Sequence, residues 1–184
     1  MKSYINYLTT GTLLCSILLT SPVSAKVNHH IKPILSKNDS LYLVNKQLTL
    51  KAANFLAESA RYYAKTLNKE VAIAVVDAGG NILLINRDNS TGPHNADAAK
   101  LKAYTAMSTK TATLLLDRNA KSNPNTANLA TVSGLLLLGG GVPVFNGDKV
   151  IGAIGIAGGG GPENDDNIAK YAVLELFKNK NTKK

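Results

Sequence analysis

The sequence contains very few sulfur-bearing residues. It contains one cysteine, Cys15, among 184 residues, together with two methionines and no tryptophan. We expect Cys15 to be removed with an N-terminal segment, residues 1–25, so the mature chain has no disulfide and depends on its buried core for stability. The same loss excludes a thiol nucleophile and any metal site that needs a cysteine ligand.

The N-terminal segment also lacks an apolar run long enough to cross a membrane. Lys2 precedes an apolar stretch at residues 13–19 and the small residues Val23-Ser24-Ala25, which is the order of a secretory signal peptide. The apolar run is about ten residues, whereas a membrane-spanning helix needs about 20. We predict cleavage after Ala25, a periplasmic or secreted location, and no stable membrane insertion of the mature chain. A retained membrane anchor and a lipid on Cys15 are the alternatives.

Residues suited to hydrolysis or nucleotide binding are scarce. His29, His30 and His94 are the only candidates for the base of a serine hydrolase, and there is no Gly-x-Ser-x-Gly elbow. The glycine-rich segments match neither the G-x-G-x-x-G nor the G-x-x-x-x-G-K-[ST] pattern. A classical acid/base hydrolase and a nucleotide-binding protein are therefore not favoured.

The histidines leave two other possibilities open. Imidazoles bind Cu, Ni or Zn, so the pair His29-His30 is a candidate metal site, with a solvated tail as the alternative. His94 lies in a Gly-Pro loop ahead of a helix, where its side chain either faces a pocket or is exposed to solvent.

Acidic residues are few compared with basic residues. The chain has 21 Lys and Arg against 12 Asp and Glu, a net charge of +9, and removal of Lys2 with the signal peptide leaves 20 − 12 = +8. No aromatic residues interleave with the basic ones, as a nucleic-acid stacking groove requires. We therefore predict a solvated surface and no nucleic-acid partner.

Hydrophobic periodicity predicts a helix at the start of the folded domain. Residues 26–46 are polar and show no sustained period, so we interpret them as a flexible leader and place the domain at residues 47–180. Apolar residues then recur at three- and four-residue steps, with Thr49 near the start of the predicted helix. That apolar face consists of Ala52, Leu56, Ala60, Tyr63 and Leu67.

The remaining pattern predicts two hairpins and further helices. Antiparallel pairs follow from hairpins, so the predicted fold is α+β, a small antiparallel sheet flanked by helices in a profilin-like α/β/α arrangement. Gly152 and Gly155, inside the last predicted strand, imply close approach of a neighbouring group. The predicted elements are a hairpin at 71–85, a loop at 86–95, helices at 96–108 and 113–120, a hairpin at 142–157, and a helix from Pro162 onward.

Five sequence blocks occur together in one order. They are VVDAGGN at 75–81, RDN at 87–89, KAYTA at 102–106, GGGVPV at 139–144 and VIGAIGIAGG at 150–159. In this combination they resemble the GlcG/HbpS family of haem-binding or haem-degrading-like proteins, which is also related to the PduO C-terminal domain. The resemblance covers about residues 48–177. It implies a compact domain, self-assembly into homo-oligomers and, in exported members, binding of haem or of iron released from it.

The resemblance also implies where a tetrapyrrole would bind. Apolar walls would come from the helix bearing Tyr104 and Met107, and the haem carboxylates would contact Arg87, Lys100 or Lys102. The axial candidates, in order of preference, are His94, Tyr104 and Thr113. Thr113 holds a position implicated in haem contact in one branch of the family, although the proline that precedes it there is Ala112 in this chain.

The sequence is compatible with two hypotheses on function. The first is an exported tetrapyrrole-binding protein with haem as its ligand, and the second is a small-molecule-binding or assembly module that shares only the fold. Haem degradation follows from the resemblance alone, because no proton relay or redox residue can be named in the sequence.

Overall fold

The computed structural model describes residues 44–182, with side chains described for residues 44–178. The predicted signal peptide, nearly all of the predicted leader, and both His29 and His30 lie outside the described residues. The helices are α1 (Leu50–Thr66), α2 (His94–Thr109), α3 (Thr113–Ser122), α4 (Pro124–Ala127) and α5 (Pro162–Thr182), and the strands are β1 (Ala72–Asp77), β2 (Ile82–Arg87), β3 (Gly141–Asn146) and β4 (Lys149–Ala157). A short 3-10 helix spans Asn128–Thr131.

The four strands form one antiparallel sheet between two helical layers. Their order is β2-β1-β4-β3, and all three pairings are antiparallel. One face of the sheet packs against α1 and α5, and the other packs against α2. This arrangement confirms the predicted α+β fold. No helix within residues 44–182 is long and apolar enough to cross a membrane.

The larger core lies between the sheet and the pair α1 and α5. Thr49 caps α1 as the sequence predicts, because its hydroxyl accepts a hydrogen bond from the backbone N–H of Ala52 at 3.2 Å. The buried side chains of α1 are mostly alanines around Leu56, which bring the helix close to the sheet. The sheet contributes β-branched residues to this core: Ile73, Val75, Val142, Val144, Ile154 and Ile156.

The second core, under α2, is built almost entirely from small residues. Ala99, Ala103 and Ala106 of the helix face a sheet surface that is also rich in alanine. A Cβ atom added at Gly155 would overlap the carbonyl oxygen of Ala99 and the backbone nitrogen of Ala103. The glycine is therefore required for the close packing of α2 on β4, as its position inside a strand predicts.

Differences from the predicted elements lie mainly in the loops. β2 continues to Arg87, and α2 begins at His94 instead of Ala96. The polar stretch after α3 contains two short helical segments that the periodicity does not indicate. Asn123 explains the first of these, because its side chain accepts from the N–H of Asn125 at 3.0 Å and Pro124 occupies the first helical position.

Candidate functional site

The predicted haem-site residues lie on β2, α2 and α3 and do not come together in one place. His94 is the first residue of this helix and Met107 is close to its last. Thirteen helical steps of about 1.5 Å place their backbones about 20 Å apart. One iron atom therefore cannot be contacted from both ends of the helix within a single subunit.

Arg87 and His94 lie near the N-terminal end of α2. The guanidinium of Arg87 donates a hydrogen bond to the carbonyl oxygen of Thr91, in the loop that precedes the helix. His94 is exposed, and its ring lies against Gly92. The structure thus places these two residues at the same end of the molecule, on its surface.

Lys102 lies inside the protein. Only 1% of this residue is exposed, and its ammonium donates to Asp165 Oδ2 at 2.8 Å and to the carbonyl oxygen of Ile156 at 2.9 Å. Lys100, two positions earlier, is exposed. The geometry does not favour the expectation that Lys102 contacts the carboxylate of a ligand, because its ammonium is buried and two of its three donors bond within the fold.

Thr113 is also buried and bonded within the fold. Its hydroxyl donates to the carbonyl oxygen of Leu138 at 2.7 Å and accepts from the N–H of Gly141 at 2.8 Å. These bonds fasten the start of α3 to the segment that enters β3. Thr113 therefore contacts the segment before β3, whereas Tyr104 and Met107 contact Gly80 in the β1–β2 turn.

Tyr104 and Met107 are brought together at the turn between β1 and β2. Positions three apart on a helix share one face, and a Cβ atom added at Gly80 would lie 2.8 Å from Met107 Cε and 3.0 Å from Tyr104 Cε2. Gly80 has φ +80°, so it also supplies a backbone conformation that other residues adopt rarely. Tyr104 remains 40% exposed, whereas Met107 is half-buried.

A cavity of about 720 Å³ opens beside Met107. We call it the turn cavity, since it is enclosed by the chain that precedes α1, the β1–β2 turn, the end of α2 and the β3–β4 turn. Its volume falls within the range of small-molecule and cofactor sites. The lining residues are Val44, Asn45, Lys46, Ala78, Met107, Lys110, Asn146, Gly147, Asp148, Lys149, Val150 and Ile151.

The turn cavity carries an excess of positive charge. Lys46, Lys110 and Lys149 line it against a single acid, Asp148. Within the described part of the chain, none of these lysines forms an ion pair. The cavity therefore suits a ligand with more than one negative charge.

Sequence reasoning predicted Met107 but missed the three lysines. Lys46 and Lys149, the two that are farthest apart, are separated by more than a hundred residues in the sequence. Only the fold brings the three lysines to one cavity. One partial signal was present, because Lys110 follows Met107 by three positions at the end of the same helix. Its φ of +55° shows that the helix ends there.

The wall formed by the β1–β2 turn is fixed by Asp77. Its Oδ1 accepts from the N–H of Gly79 at 2.8 Å and from that of Asn81 at 2.9 Å. Burial alone would raise the pKa of Asp77, but the hydrogen bonds from Asn81 and the turn glycines prevail and lower it below its ordinary value. Asp77 therefore holds Gly80 in place against Tyr104 and Met107.

No group of three or more histidine, cysteine or carboxylate side chains able to hold a metal ion is found among the described residues. The predicted pair His29 and His30 stays a prediction, since both lie outside them.

The sequence has relatives among known proteins. The family model described as haem degrading protein HbpS-like matches residues 48–174. An uncharacterized 15.0 kDa protein from the dhaT-dhaS intergenic region of Citrobacter freundii is 33% identical over 132 residues, which cover 71% of this chain and 92% of the relative. GlcG of Escherichia coli K12 is 32% identical over 112 residues, or 60% of this chain and 81% of GlcG.

Solved structures share the fold. A double mutant of Streptomyces reticuli HbpS is 31% identical, with a TM-score of 0.69 and coverage of 78% of this chain and 96% of HbpS. The structure titled PduOC:Heme complex is 27% identical, with a TM-score of 0.63 and coverage of 70% of this chain and 94% of PduOC. From the match over residues 48–174 and these relatives, the chain belongs to the HbpS-like family.

Proposed function

We propose that this protein is an exported haem-binding protein, and that haem binds in the turn cavity beside Met107. The proposal concerns binding and makes no claim of degradation. Export is supported by the signal-peptide pattern of residues 1–25.

The relatives support the choice of ligand. The family description names haem, and one related structure, at 27% identity, is described as a heme complex. Fold likeness alone does not give function. The chemistry of the cavity in this chain must therefore carry the proposal further.

The observation that carries it is the combination, around one cavity, of Met107 with three lysines that form no ion pair with any described residue. Haem, when bound, supplies an iron atom with axial positions and two carboxylates on an apolar ring. A methionine thioether is an established axial ligand of haem iron, and Lys46, Lys110 and Lys149 complement the carboxylates. Tyr104 stands next to Met107, against Gly80, as the second candidate for the iron ligand, although it does not itself line the cavity.

Titration of the purified mature protein with haemin tests the proposal. The expected result is a Soret shift that saturates near one haem per subunit. In the double variant Lys110→Glu with Lys149→Glu, two of the positive charges that line the cavity become negative. This variant should bind haemin more weakly than the parent, and circular dichroism checks that it keeps the fold. Changes that do not saturate, or binding unaffected by the charge reversal, would contradict a haem site in this cavity.

The assembly module remains the second candidate, and the edge of the sheet favours it. β2 is an edge strand, with Ile82 48% and Ile85 39% exposed. Exposed apolar residues on an edge strand are suited to pairing with another copy of the chain. Sedimentation analysis should show a homo-oligomer that Ile85→Lys dissociates; a monomeric parent protein would contradict self-assembly.

A further inference from the structure

A second cavity, of about 550 Å³, lies between the start of α1, the β3–β4 turn and the end of α5. We call it the helix cavity. It does not contain Met107, Tyr104 or any of the three lysines of the turn cavity. Nothing in the proposed function uses it.

The wall of the helix cavity is predominantly apolar. Phe55 comes from α1, Ile151 from β4, and Leu176 and Phe177 from α5. Ile151, Leu176 and Phe177 pack against the larger core, and all four side chains are only partly buried. A ligand in this cavity would therefore remove apolar surface from water at several points, which is the main source of affinity for an alkyl chain.

The lining of the helix cavity contains a single charged side chain, Lys51. The other polar lining residues, Gln47, Thr49 and Asn146, are uncharged. Lys51 is exposed and forms no ion pair with another described residue. The first turn of α1 has no acidic residue, so no carboxylate of that turn offsets the charge of Lys51.

We propose that the helix cavity binds an amphipathic monocarboxylate with a long alkyl chain. The chain occupies the apolar cavity between Phe55 and Phe177, and the carboxylate lies at the rim beside Lys51. Lys51, which has no ion-pair partner among the described residues, lines the cavity together with apolar side chains, and this combination matches a ligand with one negative head group and one alkyl tail. The turn cavity, with its three lysines, matches a ligand with more negative charge. This inference does not depend on haem binding.

The two cavities share part of their lining. Variants that test one cavity must therefore be made at residues that line that cavity alone. Asn146 and Ile151 line both of them, and the N–H of Leu48 bonds to the carbonyl oxygen of Ile151 at 2.8 Å between them. Variants at these three residues would disturb both cavities. Ala52 and Lys51 line the helix cavity alone, whereas Lys110 lines the turn cavity alone.

Calorimetric titration with sodium dodecanoate, below its micellar concentration, tests the inference. We expect saturable binding of one dodecanoate per subunit, and weaker binding of decanoate by about two- to fourfold for each methylene removed. Dodecyltrimethylammonium has the same tail with the opposite charge and should bind at least fivefold more weakly. Absence of saturable dodecanoate binding, or equal binding of the cationic amphiphile, would overturn the proposal.

Two variants locate the binding site. Ala52→Phe fills the cavity and should abolish dodecanoate binding. Lys51→Gln removes only an exposed side-chain charge and should weaken dodecanoate binding about two- to fivefold. Lys110→Gln is the matched control in the other cavity and should leave dodecanoate binding unchanged. If Ala52→Phe proves unfolded by circular dichroism, Lys51→Gln against Lys110→Gln still decides. Loss of binding in Lys110→Gln, or no effect of Lys51→Gln, would overturn the assignment to the helix cavity.

Haemin titration of the same variants separates this inference from the proposed function. Ala52→Phe and Lys51→Gln should bind haemin as the parent protein does. Loss of haemin binding in either variant would show that haem itself uses the helix cavity, and the proposal of a separate monocarboxylate site would then be wrong.

Discussion

Lys102 and Asp165 form an ion pair of 2.8 Å inside the protein and so tie α2 to the first turn of α5. The second carboxylate oxygen of Asp165 accepts from the N–H of Gly159 at 2.7 Å. Burial raises the pKa of Asp165 above its ordinary value, although the neighbouring ammonium opposes that shift. The ion pair therefore links the two helices. If either side chain were removed, the charge of the other would be buried without its counter-charge.

Removing one partner of this pair should be more damaging than removing both. Lys102→Met leaves the Asp165 carboxylate buried without its cation, and the free energy of unfolding should fall by about 3–5 kcal/mol. The double variant Lys102→Met with Asp165→Leu should recover much of that loss, because no unpaired charge remains. Chemical denaturation measures both. Lys100→Met, at an exposed position, is the control and should change stability by less than about 0.5 kcal/mol. A double variant no more stable than Lys102→Met would contradict this account.

Gly155 should not tolerate even one added carbon. Gly155→Ala places a Cβ atom against the backbone of α2 at Ala99 and Ala103, and the resulting overpacking should cost about 1–3 kcal/mol. Gly147→Asn is a suitable control, since nothing lies within 4 Å of its Cβ position and asparagine adopts positive φ more readily than most residues. Thermal melting that leaves Gly155→Ala as stable as the parent would show that the packing argument is wrong.

Asp77 should give the protein a stability that depends on acid pH. Its pKa in the folded protein lies below the ordinary value of 3.8, so its contribution is complete above that pH and is lost as the pH falls through the lowered pKa. Asp77→Asn should therefore be about 1–2 kcal/mol less stable at neutral pH, because charge-assisted hydrogen bonds in the turn are weakened. Urea denaturation between pH 2 and pH 7 is the measurement. The difference from the parent should shrink below about pH 3.8, and a difference independent of pH would argue against the carboxylate.

The mature N-terminus is predicted to be Lys26. Mass spectrometry of the protein recovered from outside the cytoplasm should show the loss of residues 1–25, with Cys15 among them. Further trimming by one residue would begin the chain at Val27 and place His29 third, where it would create a tight Cu or Ni site. Retention of residues 1–25, or a lipid on Cys15, would contradict the prediction.

Most of the fold was predictable because most of its helices and strands have a local sequence signal of their own. The three- and four-residue period gave α1, the Gly-Gly and Asn-Gly turns gave the hairpins, and Pro162 marked the start of α5. The short helix α4 was missed since it depends on a side-chain cap from Asn123 and has no periodic apolar face. Local capping of this kind leaves little trace in hydrophobic periodicity.

The site was harder to predict because it depends on packing. Lys100 and Lys102 are two positions apart on one helix, yet one is exposed and the other is bonded to Asp165. The sequence of α2 does not show which side faces the sheet, since alanines occur on several sides of the helix. Lys46 and Lys149 reach the turn cavity from segments far apart in sequence.

The central claim is that haem binds in the turn cavity beside Met107, with Tyr104 as its neighbour at the β1–β2 turn, and not at His94. Haemin titration of the double variant Met107→Leu with Tyr104→Phe, beside His94→Ala, tests it most directly. The double variant should shift the Soret band and weaken binding at least tenfold, or about 1.4 kcal/mol, while His94→Ala should match the parent in both. A shifted Soret band and weaker binding in His94→Ala, with the double variant unchanged, would contradict the account.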